Sequence, residues 1–90
     1  MVKMEKVLVT GGCGFIGSHF VKRLSKRYPN VEIIVADCLT YAGDEMNIEG
    51  VDCILKKLNV SNSAEMIYLF DNYRPDTIFH FAAEIMLTIV

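Results

Sequence analysis

Gly11, Gly14 and Gly17 stand at G-x-x-G-x-x-G spacing in the run Thr10-Gly11-Gly12-Cys13-Gly14-Phe15-Ile16-Gly17. Glycines so spaced suit a main chain that must cradle a phosphate. Gly11 can turn the chain sharply where a side chain would clash. Gly14 lets the backbone come within contact distance of a pyrophosphate, and Gly17 lets a following helix lie close against a sheet. The anion would then meet unpaired N–H groups and the positive end of a helix dipole. Asp37 is the acidic partner of this loop. Its carboxylate can accept hydrogen bonds from both hydroxyls of an adenosine ribose and would repel a 2′-phosphate. No arginine or lysine lies within the glycine loop or directly after Asp37 to receive such a phosphate. The expected cofactor is therefore NAD rather than NADP. A plainer role for Asp37, capping the loop that follows it, stands beside this one.

Those residues need a strand, a helix and a second strand to position them, and the hydrophobic pattern supplies all three. Val7-Leu8-Val9 reads as a short buried strand from Lys6 to Thr10. A helical pattern takes over at Phe15, with Ile16, Phe20, Val21, Leu24 and Tyr28 on one face. Lys22, Arg23, Lys26 and Arg27 crowd its last turns, where positive charge suits the helix dipole; they read as a solvated face, not a binding patch. Pro29-Asn30 ends it. Val31 to Ala36 is a second strand that delivers Asp37, and a loop without clear period runs from Cys38 to about Gly50. Val51 to Leu58 reads as a third strand. Ser61, Asn62 or Ser63 can cap a second helix, and Glu65 stands three residues beyond Asn62 as in a capping box. Met66, Ile67, Leu69, Phe70 and Tyr73 form its buried face, Arg74-Pro75 closes it, and Asp76 to Ala82 is a fourth strand. Strands apolar on both faces that alternate with helices belong to a parallel sheet covered on each side.

Composition excludes several classes. With 90 residues the chain holds one small domain at most, and 52% apolar residues rule out a disordered one. A net charge of −2 offers no basic patch, so no nucleic-acid partner is expected. The three cysteines, Cys13, Cys38 and Cys53, are widely spaced and include no C-x-x-C pair, so neither metal site nor disulfide framework is expected. Lys3 and Lys6 precede an apolar run too short for a signal peptide, and Ile85 to Val90 is too short to span a bilayer. A cytoplasmic location follows as the expectation.

The run Thr-Gly-Gly-x-Gly-Phe-Ile-Gly-Ser-His resembles the NAD-dependent epimerase/dehydratase family of extended short-chain dehydrogenase/reductases. More narrowly, Asp37-Cys38-Leu39-Thr40-Tyr41-Ala42-Gly43, Arg74-Pro75-Asp76 and His80-Phe81-Ala82-Ala83-Glu84 look like the dTDP-glucose 4,6-dehydratases. The likeness covers residues 4 to 84. It implies the N-terminal half of a Rossmann-type doubly wound α/β domain over residues 1–90, built β-α-β-β-α-β, with strand order 3-2-1-4. Residues 10–17 would be the glycine loop, 37–43 the adenosine loop and 85–90 an apolar tail off the family pattern. By the same resemblance Phe15 and Ile16 line the pyrophosphate loop, and Asp37, Cys38, Leu39 and Thr40 hold the ribose. Asn59 and Val60 face the adenine, and Phe81, Ala82 and Ala83 lie beside the cofactor towards its nicotinamide. Asn59 replaces a usual aspartate, leaving an amide oxygen to accept a bond from adenine, and Cys13 replaces a usual alanine. After Glu84 the family's Ser-His-Val-Asp-Arg-Ser gives way to Ile85-Met86-Leu87-Thr88-Ile89-Val90.

The family's chemistry also uses a tyrosine with a lysine four residues on, and a threonine-aspartate-glutamate run. Here Tyr28, Tyr41, Tyr68 and Tyr73 are followed four on by Glu32, Glu45, Asn72 and Thr77. His19 and His80 read as hydrogen-bonded structural histidines, and Glu84 alone is not a mechanism. No catalytic residue is therefore expected in this chain, and a nucleotide-sugar substrate only if the rest of an enzyme is supplied. A fragment or truncated product is expected, with an apolar fourth strand and tail prone to self-association. Two other readings stand: a non-catalytic nucleotide- or partner-binding module, and a segment of a sugar-nucleotide 4-epimerase.

Overall fold

β-branched and aliphatic residues in unbroken runs make the centre of the sheet. Lys6–Thr10 forms β1 and Glu32–Asp37 forms β2, joined by the helix α1, Phe15–Arg27. A 3-10 turn at Glu45–Ile48 leads to β3, Ile54–Lys57; the helix α2, Ser63–Tyr73, then leads to β4, Thr77–His80. The structure, a computed structural model, describes residues 4–38 and 45–81. The expectations for Leu39, Thr40, Tyr41, Ala82, Ala83, Glu84 and the tail 85–90 lie outside those residues. The four strands are parallel in the order β3-β2-β1-β4, as the sequence implied.

Alternate residues of the central strands face opposite layers. Val7, Val9, Ile33 and Val35 pack with Val21 and Leu24 of α1 and Ile48 of the 3-10 turn. Leu8, Ile34 and Ala36 turn the other way, onto Leu69 of α2 with Met66, Phe70 and Tyr73 around it. Helices thus cover both faces of one sheet.

Three expected core residues lie outside the core. Ile16 is 58% exposed, Tyr28 44% and Ile67 59%. Ile16 and Tyr28 stand at the two ends of α1, so the stripe that packs runs through Gly17, Val21 and Leu24 instead. On α2, Met66, Leu69, Phe70 and Tyr73 already fill the i, i+3, i+4, i+7 stripe, and Ile67 falls beside it. The third strand is shorter than expected because ladder pairing to β2 begins only at Ile54. Four residues of the expected loop, Glu45–Ile48, form the 3-10 turn and place Ile48 in the core.

Asn62 caps α2, its side-chain oxygen accepting from the Glu65 N–H at 3.2 Å. Glu65 reaches past the cap residue to Asn59, so the reciprocal half of the capping box is displaced. The left-handed Arg74, φ 47°, ends the helix. Asp76 then ties β4 to β1: one carboxylate oxygen accepts the N–H groups of Glu5 and Lys6, both at 2.9 Å. These bonds from the Lys6 and Glu5 backbone and the Thr77 hydroxyl hold the Asp76 carboxyl below its ordinary value, the Lys6 bond most of all.

Candidate functional site

The glycine loop leaves β1 through Gly11, whose φ of 72° is a left-handed conformation that favours glycine. The Gly11 N–H still donates to the Ala36 carbonyl at 2.8 Å, so the turn starts from the end of β2 as well as β1. Gly14 takes the N-cap position of α1 in an extended conformation, with no side-chain cap and no acidic residue in the first turn. Gly17 makes the close approach its spacing predicts, but against the loop rather than the sheet. A Cβ there would stand 2.2 Å from the Gly11 carbonyl oxygen. The contact with the sheet belongs to Gly12, where a Cβ would meet Val35 at 2.6 Å and Val21 at 3.3 Å. The spacing rule pointed past Gly12 because its neighbours lie on other elements. Phe15 and Ile16 project from the first turn, and Phe15 meets His19 edge-on with ring centres 5.0 Å apart.

Asp37 ends β2 directly below this loop. It is 7% exposed, and its Oδ2 accepts the Cys13 N–H at 2.9 Å. Asp37 is thus a brace of the glycine loop. An ionised carboxylate has about four lone-pair sites, more than this one bond uses. Asn47 supplies a second brace that the sequence did not reveal, its Nδ2 donating to the Cys13 carbonyl at 2.7 Å. Sheet register also sets Lys57 opposite Asp37. That cation is twenty residues from the aspartate in the chain and was invisible to a search around it. Cys38 follows Asp37 at the exposed strand end. Burial pushes the Cys53 thiol up, with Asp52 adding to the shift.

The β3–α2 loop stands next along the sheet. Leu58 N–H donates to the Asp37 carbonyl at 3.1 Å, which carries the pairing to the edge of this loop. Asn59 is exposed there and Val60 half-buried against the α2 layer. On the other flank, Thr10 and His80 share a hydrogen bond between Oγ1 and Nδ1 at the carboxyl ends of β1 and β4. His80 is the hydrogen-bonded structural histidine expected of it. Phe81 donates its N–H to the Thr10 carbonyl at 2.8 Å, but its ring packs on Phe20, centres 5.2 Å apart. The side chain faces the core, so towards a ligand Phe81 can offer main chain.

Uncapped helix N–H groups, a glycine cradle that a Cβ would fill and a carboxylate one strand away fit a dinucleotide's pyrophosphate and ribose. Residues 7–87 match the NAD dependent epimerase/dehydratase family. The chain belongs to this family. It is 38% identical over 87 residues to dTDP-D-glucose 4,6-dehydratase of Dictyostelium discoideum, covering 89% of this chain and 19% of that one. Among solved structures it is similar to dTDP-glucose 4,6-dehydratase of Bacillus anthracis in complex with NAD. There the TM-score is 0.82 at 33% identity, over 89% of this chain and 27% of that one. UDP-glucose 4-epimerase of Thermus thermophilus, in complex with NAD, gives a TM-score of 0.77 at 34% identity, over 88% and 24%. This epimerase/dehydratase chain therefore spans about a fifth to a quarter of the length of such relatives. Its fold is the Rossmann-like N-terminal part of these enzymes. Among the described residues no helix is long and apolar enough to cross a membrane.

Proposed function

We propose that this chain binds the adenosine and pyrophosphate half of NAD, as the N-terminal segment of a nucleotide-sugar 4,6-dehydratase acting on dTDP-glucose. The observation that carries the binding reading is the Asp37 carboxylate, buried at the end of β2 and bonded to the glycine loop. The glycine loop would receive the pyrophosphate, Gly11 turning the chain, Gly14 allowing the close approach, Gly17 seating the helix, and Phe15 and Ile16 lining the loop; Asp37, with Cys38, Leu39 and Thr40, would receive the ribose. Asn59 and Val60 would meet the base, and Ala82 and Ala83 the nicotinamide side. NAD, when bound in a complete enzyme, supplies hydride acceptance and return. The Asp-Cys-Leu-Thr-Tyr-Ala-Gly run favours the dehydratase. The likeness to a UDP-glucose 4-epimerase keeps an epimerase segment as the second reading. No tyrosine here has a lysine four residues on, so we assign no turnover to the chain by itself. A nucleotide sugar enters only with the remainder of an enzyme, and no nucleic-acid or membrane partner is proposed. Self-association is proposed through the outer edge of β4, which pairs on one side only among the described residues. Three widely spaced cysteines with no C-x-x-C pair suit a reducing, cytoplasmic setting.

Titration with NAD and NADP tests the binding reading. NAD should bind about tenfold or more tightly, since a buried carboxylate facing a phosphate is unfavourable. Asp37→Asn should narrow that ratio, with Lys57 left to attract the 2′-phosphate. Equal affinities in the unaltered chain would remove the assignment of Asp37.

A further inference from the structure

Lys56 and Lys57 end β3, and the pleat of the strand sends them to opposite faces of the sheet. Lys56 goes to the α2 side, where its Nζ lies 5.6 Å from the centre of the Tyr73 ring. Lys57 leaves on the face it shares with Leu55, which packs with the α1 layer. It is exposed, and among the described residues its side chain takes no ion pair or hydrogen bond.

Parallel register sets Lys57 beside Asp37. Asp37 stands on the same α1 side, two residues after Val35, and its Oδ2 accepts from the glycine loop there. The pairing holds to the strand ends, where the Leu58 N–H donates to the Asp37 carbonyl at 3.1 Å. Adjacent strands lie about 4.8 Å apart, so the two side chains start from neighbouring Cα atoms and leave on one face. A ribose that donates its 2′-hydroxyl to the Asp37 carboxylate holds its 2′-oxygen about 2.7 Å away. A phosphate on that oxygen would be repelled by Asp37. From the next strand it would also meet an ammonium on a flexible four-carbon stem. Two opposite charges of this chain thus bear on one group of the ligand.

We propose that Lys57 is a specificity-determining residue of the nucleotide site: it draws a 2′-phosphate and so limits the preference for NAD over NADP that Asp37 sets. The inference rests on the reading that the chain binds NAD through Asp37. At about 6 Å and about 0.1 M salt, an ammonium raises the affinity for a doubly charged phosphate roughly three- to tenfold. The test is titration of the 90-residue chain with NAD and with NADP, beside Lys57→Gln, Lys57→Arg and Lys56→Gln. Lys57→Gln should widen the NAD-to-NADP affinity ratio about three- to tenfold, through weaker NADP binding with NAD little changed. Lys57→Thr, a residue suited to a strand, should widen it equally and secures the result if glutamine disturbs β3. Lys57→Arg keeps the charge and should keep the ratio. Lys56→Gln makes the same change in net charge on the opposite face and should leave the ratio as it was. In about 1 M salt, where the screening length is about 3 Å, the gap between the unaltered chain and Lys57→Gln should close. A Lys57→Gln ratio within about twofold of the unaltered chain overturns the inference and leaves the NAD reading standing. So does an equal widening in Lys56→Gln, or a gap undiminished by salt. Failure of every protein to bind either dinucleotide overturns the NAD reading itself, and this inference with it.

Discussion

The two loops at the carboxyl edge of the sheet are held by opposite means. The glycine loop is braced from outside: Ala36 and Asp37 of β2 and Asn47 of the 3-10 turn all bond it. The β3–α2 loop braces itself, with Asn59, Ser61, Asn62 and Glu65 bonding one another. Their strands differ in the same sense. Every residue of β1 and β2 after the first is buried, whereas β3 buries none and β4 only Thr77. The centre of the fold is specified by long-range packing, and its flank by local hydrogen bonds.

Leu8 and Ile78 are the sharpest probes of that contrast, because both face α2 from adjacent, paired strands. Leu8→Ala should cost about 4 kcal/mol in urea unfolding, and Ile78→Ala, at a half-buried position, about 1–2 kcal/mol. Equal costs would mean that β4 is as central as β1. Between the loops, Gly17→Ala should cost about 3 kcal/mol and remove NAD binding, since backbone at Gly11 cannot yield to a Cβ 2.2 Å away. Asn62→Ala removes only a local cap and should cost about 1 kcal/mol, with NAD affinity little changed.

The smallest effect concerns Asp76, exposed and tied to β1. Its carboxyl is held below the ordinary 3.8 in the folded chain. Over the interval beneath that value the unfolded chain binds more protons, so stability falls as pH falls. The contribution is fully present above 3.8 and is lost as pH drops through the lowered folded value. Asp76→Asn should flatten this slope in acid unfolding curves and leave the rest of the profile alone. An unchanged slope would show that the Glu5 and Lys6 bonds add nothing.

Both helices and the positions of Gly11, Gly14, Gly17 and Asp37 were legible in the sequence, because each rests on a local period or a fixed spacing; strand order followed from the family resemblance. What escaped acts across elements. Gly12 matters through Val35 and Val21, and Asn47 through a carbonyl 34 positions away. Lys57 meets Asp37 only by sheet register. The 3-10 turn of four residues is too short to show a period. The surplus of apolar residues at Ile16, Tyr28 and Ile67 was read as core because periodicity cannot tell a filled stripe from its margin.

The braces on Cys13 bear on whether the phosphate cradle could be transplanted into another protein. A peptide ending with α1 would carry all the glycines of the motif and none of the braces that β2 and the 3-10 turn supply. Adding β2 would bring the Ala36 carbonyl and the Asp37 carboxylate, but leave the Cys13 carbonyl without Asn47. The smallest portable unit therefore extends through Ile48, whose side chain seats the 3-10 turn in the core.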